Sequence, residues 1–531
     1  MILDTLNISD WTAPCYVYLI LGCGFVYGVI YRLLLGPLYF SPMRNMPGPP
    51  LGNLVFGQFS NMIMSEPGLR HMEWAEKYGP VIRFIGPFGF ERLLFLEPSA
   101  LHRILVSEWL NFPRPASLRH TLGITAGYGL LTVTGNVHKL MRKTMNPAFS
   151  LTNLIAQTDM YYPPLEGFIK ILYTKISNSS DLKNGIQLLM YDWMSKVTLD
   201  IICATAFDYH PDSVHQPDNE LAVAYHQLLS LQSGANLARL FAVMSIPGFP
   251  ALLRTKFAVK YRNYLFRGPL KDLRILVLAL KQIKRVSHQM LDEKLSEIDV
   301  KDSESKRDIM SLLVRARMDD QSDGYKMSDN DLIEQVTTAS GLSWTLWLLA
   351  KNPECQKRLR DEVLPCIQDN PRPDYRTLKD LAYLDGVVME SLRVMPPVPF
   401  TIREAKEKDW IDGYYIPKGT MFYIPIRAVN TWTKIWGPDA KEFRPERWSN
   451  LPSTYNSNFS LLSFIAGPHS CIGRTMAIME MKAIIAVLIA HFSFEPAYEN
   501  QRAQPTAAIT MKPADGLPLK VTLIGKVPLP P

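Results

Sequence analysis

The sequence predicts a mainly α-helical fold with small β-sheets, of the α+β class. Most segments between residues 98 and 291 repeat apolar residues at helical spacing, and residues 331–349 have a similar pattern. In contrast, residues 80–86 and 92–96 are short runs of β-branched and aromatic residues with glycine and proline between them, which is typical of a hairpin. The chain of 531 residues is 47% hydrophobic and 20% charged, an ordinary globular composition.

The N-terminal segment predicts a membrane anchor. Residues 15–31 carry no charge and are just long enough to span a bilayer. We expect an anchor and not a cleaved signal peptide, because no basic segment precedes the run and no small-residue cleavage site follows it. Asp4 and Asp10 precede the run, whereas Arg32 and Arg44 follow it. This charge bias places the N-terminus in the lumen and the body of the protein in the cytosol.

The remaining elements follow from local signals. Met46–Pro50 clusters proline and glycine, which cannot continue a helix and form a stiff, extended hinge. The other predicted elements, in chain order, are a solvated helix end and loop at 292–308, a long helix capped by Ser328–Asn330 and running to Leu349, a helix before Pro396, strands at 413–417 and 420–424, a helix that follows Cys471 and runs to about His491, and a strand pair formed by 508–510 and 519–523.

Charge and cysteine usage exclude several classes of protein. The net charge is +7, and no basic stripe is interleaved with aromatic residues, so we expect no nucleic-acid partner. A weak basic bias suits a membrane surface or an acidic redox partner. The six cysteines are scattered without metal-ligand spacing, so we predict no disulfide framework and interpret five of them as structural. This fits a reducing compartment for the main domain.

The sixth cysteine, Cys471, carries the strongest chemical signal. It lies between glycines, after a turn and directly before an apolar helix, where the helix dipole favours thiolate over thiol. A glycine-lined turn can present one sulfur to a flat metal cofactor. Most single cysteines are inert buried residues, but here the spacing is Phe-x-x-Gly-x-x-x-Cys-x-Gly, from Phe464 to Gly473. That pattern resembles the haem-binding signature of the cytochrome P-450 family, the haem-thiolate monooxygenases.

The resemblance extends from the hinge to the last strands and implies the P-450 fold with an N-terminal transmembrane helix. It implies an anchor at 1–45, a proline-rich hinge at 46–53 and one haem-thiolate catalytic domain at 54–531. Cys471 is the implied ligand of the iron of haem b. The other residues of the loop that it implies to bind the cofactor are Phe464, Gly467, His469 and Gly473.

Two further motifs support the resemblance. Glu390 and Arg393 are three residues apart on a helix pattern, which alone predicts only an exposed pair. Together with the following Pro396-Pro397 turn they resemble the family's E-x-x-R helix, and residues 443–448 resemble its second arginine motif. The resemblance implies that Arg447 completes a Glu-Arg-Arg cluster. Such a cluster is rigid and supports the cysteine loop without taking part in catalysis.

The resemblance also assigns residues around the haem. His138 and Arg142 lie four apart, in a stretch that could otherwise be a basic surface turn, and correspond to residues that contact the haem propionates. His469 stands where many members carry arginine; imidazole is only partly charged, so we expect a weaker propionate contact there. Residues that line the pocket in relatives correspond to 113–132, 228–250 and 400–402. An apolar pocket implies a lipophilic substrate.

The central helix departs from the family. Members carry a small-Gly-x-acid-Thr-Thr pattern there, and its acid and alcohol relay protons to dioxygen. Here Thr337-Thr338 follows Glu334-Gln335-Val336, and roughly nine residues are missing, about 13 Å of helix. One flank should therefore present the wrong face to its neighbours. Three interpretations stay open: a splice or gene-model product, a variant whose chemistry needs no proton relay, or an active enzyme in which Thr337 or Thr338 and water form the relay.

The resemblance predicts a membrane-bound monooxygenase that oxidises a lipophilic secondary metabolite or xenobiotic with O2. Electrons would come from NADPH through a flavin reductase that docks on the basic face near Cys471. The predicted location is the endoplasmic reticulum membrane, with a single span and a cytosolic catalytic domain, as in fungal members. The alternatives are a haem-dependent isomerase or dehydratase of the same fold and an inactive variant.

Overall fold

The computed structural model describes residues 13–126, 129–179, 185–231, 271–298, 308–311, 336–507, 510–525 and 527–528. The α-helices in these ranges are α1 (Ala13–Ile30), α2 (Phe59–Ile63), α3 (Leu69–Tyr78), α4 (Pro98–His102), α5 (Ala116–Ala126), α6 (Gly135–Met145), α7 (Leu151–Gln157), α8 (Tyr162–Ser177), α9 (Met190–Phe207), α10 (Glu220–Leu231), α11 (Lys271–Ile298), α12 (Val336–Lys351), α13 (Pro353–Asp369), α14 (Tyr375–Asp380), α15 (Ala382–Val394), α16 (Ile426–Asn430), α17 (Thr433–Trp436) and α18 (Arg474–His491). The π-helices are Tyr31–Phe40 and Arg103–Ser107, and the 3₁₀ turns are Pro87–Gly89, Asn146–Phe149, Thr158–Tyr161, Pro445–Ser449 and Gly467–His469.

The sheets are small, which confirms the predicted fold class. The strands are β1 (Val81–Ile85), β2 (Glu91–Phe95), β3 (Ile186–Leu189), β4 (Thr401–Glu404), β5 (Asp409–Ile411), β6 (Tyr414–Ile416), β7 (Met421–Ile424), β8 (Phe492–Pro496), β9 (Pro505–Ala507), β10 (Met511–Pro513) and β11 (Pro518–Leu523). They form one sheet in the order β1-β2-β7-β4, another in the order β3-β11-β8, and the pairs β5-β6 and β9-β10. The predicted hairpin is β1-β2, with Val81 opposite Phe95 and Ile85 opposite Glu91.

One predicted strand pairing is wrong. Residues 519–523 do form a strand, but β11 pairs with β8 and β3 and not with residues 508–510. Thr510 lies just before β10, which pairs with β9 in a separate hairpin, and residues 508–509 lie outside the described part of the chain. The error has a physical cause: the partner of a strand is set by long-range packing, which local residue patterns do not encode.

The N-terminal helix matches the predicted anchor. α1 is exposed along its described side chains and continues directly into the π-helix Tyr31–Phe40. By length and apolar composition, Tyr16–Phe40 could cross a membrane, and it is the one such helix among the described residues. The side chains that would face lipid therefore belong to a continuous helical segment that ends where the folded body begins.

The central helix α12 is fixed by contacts of its later turns. The indole Nε1 of Trp344 donates to the carbonyl oxygen of Met511 at 2.7 Å, and the hydroxyls of Thr345 and Ser391 are 2.7 Å apart. A Cβ on Gly341 would lie 3.2 Å from the Met481 side chain on α18, so these two helices approach closely. The C-terminal flank is therefore packed in the core. The predicted cap Ser328–Asn330 and the flank before Val336 lie outside the described residues.

Candidate functional site

The cysteine loop closes on itself just before α18. The backbone N–H of Cys471 donates to the carbonyl oxygen of Phe464 at 2.9 Å, and that of Ser470 donates to Gly467 at 2.9 Å. Gly467 has φ +76°, and a Cβ there would lie 2.0 Å from the carbonyl oxygen of Leu105. Only glycine fits such a close approach. The loop thereby holds Cys471, which is exposed, three residues before the N-terminus of an 18-residue helix.

Gly473, the second glycine of the motif, has ordinary backbone geometry, with φ −87°. A Cβ there would meet only the ring of Phe149, at 3.9 Å. The described protein atoms therefore do not require glycine at this position. The space at this position is therefore open among the described residues. Phe464, the first residue of the motif, lies with the guanidinium of Arg474 5.6 Å from its ring centroid.

Two histidines predicted from separate motifs meet beside the loop. The ring centroids of His138, on α6, and His469 lie 3.9 Å apart, and the edge of Trp109 contacts both rings. The guanidinium Nη1 of Arg114 is 3.2 Å from His469 Nδ1. Neither Trp109 nor the role of Arg114 was singled out by the sequence analysis, although Arg114 lies in the predicted lining segment 113–132.

Arg142 follows His138 by one helical turn and reaches the cysteine loop itself. Its Nη1 donates to the carbonyl oxygens of Ser470 at 2.5 Å and Pro468 at 3.1 Å. Its Nη2 lies 3.3 Å from the hydroxyl of Ser470. The predicted contact of Arg142 was with a propionate, and the structure places this side chain on the loop backbone. Arg142 therefore ties α6 to the loop that carries Cys471.

We call His138, His469 and the arginines around them the cationic cluster. Three buried polar atoms of this cluster have no hydrogen-bond partner among the described residues. They are His138 Nδ1, His469 Nε2 and Nη2 of Arg403. Arg403 is 1% exposed and lies on β4, directly after the predicted lining segment 400–402. No sequence motif identified it as a site residue. Its position at the end of that segment was the available signal, but a charged residue in a short strand is more often at the surface.

Burial and positive charge lower the pKa of each titratable side chain described here. Burial lowers the pKa of His138 to about 4, and Arg114 and Arg142 act in the same direction. Burial is also the main cause that lowers the pKa of His469 to about 2, and the neighbouring Arg114, His138, Arg403 and Arg142 act in the same direction. Burial and the charge of Arg114 also hold the pKa of Arg403 well below its usual range. Buried cations that repel each other and orphan donors both fit a ligand with carboxylates, such as the propionates of haem.

The predicted Glu-Arg-Arg cluster is assembled in the core. Glu390 Oε1 accepts from Arg393 Nη2 at 2.7 Å and from Arg447 Nε at 3.2 Å, while its Oε2 accepts from Arg393 Nε at 2.8 Å. The indole of Trp448 donates to Oε2 at 3.0 Å, and Asp439 accepts from Arg447 at 3.0 Å. Every lone pair and donor of a buried ion pair needs a partner, and these contacts supply them.

A short hydrogen-bond chain connects this cluster to the cysteine loop. Arg393 Nη1 donates to the carbonyl oxygen of Asn430 at 2.8 Å, and the Asn430 side chain donates to Ser463 Oγ at 2.8 Å. Ser463 immediately precedes Phe464 and donates its own hydroxyl proton to the carbonyl oxygen of Leu392 at 2.7 Å. No sequence motif predicts a role for Asn430 or Ser463. They show how α15 positions the start of the loop.

Thr337 and Thr338 lie in the first turn of the described part of α12. Thr338 is buried and Thr337 is half-buried. The contacts of Gly341, Trp344 and Thr345 fix the phase of α12, and hence the position of both threonines. Of the predicted lining segments, residues 232–250 lie outside the described part of the chain, and Phe400 packs edge-on against His71 with centroids 5.3 Å apart.

Comparison of the sequence with known proteins identifies the family. The sequence profile described as Cytochrome P-450 covers residues 46–519. The chain belongs to the cytochrome P-450 family. Similar proteins include cytochrome P-450 monooxygenase 205 of Postia placenta, 31% identical over 510 residues that cover 89% of this chain and 90% of the relative. Cytochrome P-450 monooxygenase sphH of Aspergillus fumigatus is 29% identical over 516 residues, covering 93% and 91%.

Membership in the P-450 family confirms the resemblance seen in the Phe464–Gly473 motif, and the relatives are fungal, as expected. This P-450 is a haem-thiolate enzyme with haem b as its cofactor. It receives electrons from NADPH through a reductase and acts on a small molecule. The unpartnered Nη2 of Arg403 needs an anionic acceptor, and the unpartnered ring nitrogens of His138 and His469 can form neutral hydrogen bonds beside it, so the three side chains fit that cofactor.

Proposed function

We propose that this P-450 is a membrane-anchored monooxygenase that inserts one oxygen atom of O2 into a lipophilic secondary metabolite or xenobiotic. The observation that carries the proposal is the position of Cys471: its loop lies at the head of α18 and beside the cationic cluster. A thiolate ligand and two anionic propionates need this combination of a helix N-terminus and buried cations.

In this proposal each loop and cluster residue has a separate task. Cys471 supplies the thiolate ligand of the haem iron, Gly467 lets the loop pack against Leu105, and Gly473 leaves room for the macrocycle. His138, His469 and Arg403 donate to the propionates, while Arg142 holds the loop carbonyls. Glu390, Arg393 and Arg447 hold the loop from behind through Asn430 and Ser463. When bound, the haem supplies the activation of dioxygen.

The first turn of α12 is proposed to supply protons through the hydroxyls of Thr337 and Thr338 with water. The described start of this helix, Val336–Ser340, contains hydroxyl groups but no acid. That observation favours a second candidate function: an isomerase or dehydratase that uses haem on a preoxidised substrate. Such a reaction needs no proton relay to dioxygen, so it tolerates the missing acid.

The proposed location is the endoplasmic reticulum membrane, crossed once by the uncharged helix α1, with the catalytic domain in the cytosol. The apolar helix and the following Arg32 and Arg44 support this orientation. The proposed electron donor is a flavin reductase that docks on the basic face near Cys471. A membrane-bound reductase and a lipophilic substrate would both reach the enzyme from the same surface.

One spectroscopic experiment tests these candidates. The full chain is expressed in membranes and reduced under carbon monoxide, and the absorbance band of a thiolate-bound haem is measured. We expect the band in the natural protein and in Cys23→Ser, whose cysteine is exposed on α1, but not in Cys471→Ser. No band in the natural protein overturns both functions. A band with NADPH-driven oxygen use supports the monooxygenase, and a band with turnover of a hydroperoxide alone supports the isomerase.

A further inference from the structure

A cleft opens at the surface between α14, α15, the turn Pro445–Ser449 and α18. We call it the α14–α18 cleft; its volume is about 640 Å³, within the range of small-molecule sites. Lys379 and Asp380 are exposed at its rim, whereas Tyr375 and Met479 on its floor are buried. None of the residues that line it belongs to the cysteine loop or to the cationic cluster. The cleft is therefore separate from the candidate haem site.

The floor of the α14–α18 cleft contains a buried cation, Lys482. This residue is 2% exposed, and its Nζ lies 2.7 Å from Asp385 Oδ1 and 3.4 Å from the carbonyl oxygen of Leu378. A protonated amine donates up to three hydrogen bonds. Among the described residues Lys482 therefore has one close acceptor and one distant acceptor, and its ammonium retains donor capacity. Because Lys482 lines the cleft, an acceptor bound there would use that capacity.

The ion pair between Lys482 and Asp385 is asymmetric. The Lys482 side chain is 2% exposed, whereas the Asp385 side chain is 46% exposed. Water competes for the exposed carboxylate and weakens its attraction for the ammonium, but the cost of burying that ammonium remains. A carboxylate bound inside the cleft would be a less solvated counter-ion than Asp385. It would also be repelled by Asp385, because both groups carry negative charge.

Aromatic and apolar side chains line the floor beside this cation. Trp448 is half-buried, and its indole N–H donates to Glu390 Oε2 at 3.0 Å, so the ring is held in place as one wall of the cleft. Ile478 and Met479 on α18 also line the cleft, as does Tyr375 on α14. An indole ring and a thioether both pack well against a flat aromatic group. The floor thus combines an aromatic surface with one buried positive charge.

We propose that the α14–α18 cleft is a second small-molecule site that binds an aromatic carboxylate, with the carboxylate on the ammonium of Lys482 and the ring against Trp448 and Met479. The exposed charges of Lys379 and Asp380 at the rim are opposite in sign and screened by salt, so the buried Lys482 selects the charge of the ligand. The bond from Trp448 to Glu390 places the ligand next to the Glu-Arg-Arg cluster. Binding here does not depend on which reaction the haem site catalyses.

The photoreactive aromatic carboxylate 4-benzoylbenzoate tests the proposal. The full chain in membranes is irradiated with increasing concentrations of this probe and digested, and the labelled peptides are quantified by mass spectrometry. We expect saturable labelling of the segment of α18 that contains Ile478 and Met479. The matched probe is the neutral 4-methylbenzophenone, which has the same ring system without the carboxylate. It should label this segment several-fold less, and equal labelling by the two probes would overturn the proposal.

Three variants test the role of Lys482. Lys482→Met should reduce labelling by 4-benzoylbenzoate several-fold, whereas Lys379→Met, which removes the exposed cation of the rim, should leave it nearly unchanged. Asp385→Asn should increase labelling at low probe concentration, because it removes the carboxylate that competes for the ammonium.

The increase expected for Asp385→Asn cannot arise from a loss of folding, so this variant keeps the test decisive if Lys482→Met folds poorly. Unchanged or lower labelling in Asp385→Asn would contradict the contact between the ligand carboxylate and Lys482. Absence of labels on this segment of α18 in both the natural protein and Asp385→Asn would overturn the site itself.

Discussion

Arg393 and Glu390 form a two-hydrogen-bond ion pair with both side chains fully buried, at 2.7 and 2.8 Å. The spacing of three residues would give only a weak pair on an exposed helix. Here Arg393 also donates to the carbonyl oxygens of Asn430 and Glu442, so one guanidinium connects α15 to the segment before the cysteine loop. The pair therefore has a structural role that its spacing alone does not imply.

We expect Glu390→Gln to destabilise the protein by about 3–5 kcal/mol, because it leaves buried guanidinium charges without their counter-ion. Thermal unfolding of the purified protein and the haem content per chain measure the effect. Glu73→Gln is the matched control: Arg70 and Glu73 have the same spacing and the same 2.7 Å contact but are exposed. We expect a change below about 1 kcal/mol there. Equal losses of unfolding free energy in the two variants would show that burial does not strengthen the Glu390–Arg393 ion pair.

Sequence patterns identified the motif residues, but not the residues that join the motifs. The Glu390–Arg393 spacing and the loop from Phe464 to Gly473 are local, so they could be recognised along the chain. Asn430 and Ser463 join them across 33 residues, and a single asparagine or serine carries no local signal of such a contact. The partner of β11 was predicted wrongly for the same reason, since strand order depends on packing between distant segments.

Arg403→Met should affect the haem-free and haem-bound protein in opposite directions. The buried Arg403 has an unpartnered Nη2 and the cationic neighbour Arg114, so an apolar side chain should stabilise the haem-free protein by about 1–4 kcal/mol. The same change removes a proposed donor to a propionate and should speed haem loss. Unfolding of the haem-free form and transfer of haem to apomyoglobin measure the two effects.

The contrast for Arg403 is Arg427, which is also buried but donates to the Glu66 carboxylate and, at 2.9 Å, to the carbonyl oxygen of Pro67. Arg427→Met should destabilise both forms, because these acceptors lose their donor. If Arg403→Met also destabilised the haem-free form, the interpretation of Arg403 as an unpaired cation awaiting a carboxylate would be wrong.

Glu480 should make stability depend on pH. It is fully buried on α18, Oε1 has no hydrogen-bond partner among the described residues, and burial raises the pKa to about 8 from an ordinary 4.5. The folded protein therefore keeps a proton that the unfolded chain has already lost. The contribution of Glu480 to the free energy of unfolding is complete below about pH 4.5. It falls by about 1.4 kcal/mol per pH unit up to about pH 8.

Glu480→Gln keeps the size of the side chain and removes its titration. We expect melting temperatures of the variant and the natural protein to be similar near pH 5 and to diverge by pH 8, with the variant more stable. The exposed Glu73→Gln again serves as the control and should follow the natural protein at every pH. Parallel curves for Glu480→Gln and the natural protein would contradict a buried carboxyl with a raised pKa.

Insertion of the missing segment into α12 tests whether the proton relay limits this enzyme. Roughly nine residues carrying the small-Gly-x-acid-Thr-Thr pattern are placed between Thr338 and Ala339, which lengthens the helix by about 13 Å. The contacts Trp344–Met511 and Thr345–Ser391 hold the later turns in place, so the added length displaces only the upstream flank. We expect a rise in product formed per NADPH consumed.

The matched control for this insertion replaces its acid by leucine. That variant restores the length and phase of the helix without the proton donor, so an increase in haem content alone should appear in both insertions. Better coupling of NADPH consumption to product should appear only with the acid. If neither insertion changed haem content or turnover, the missing segment would not limit this enzyme. Because the insertion displaces Thr337 and Thr338 with the upstream flank, unchanged turnover would also contradict their proposed role as the relay.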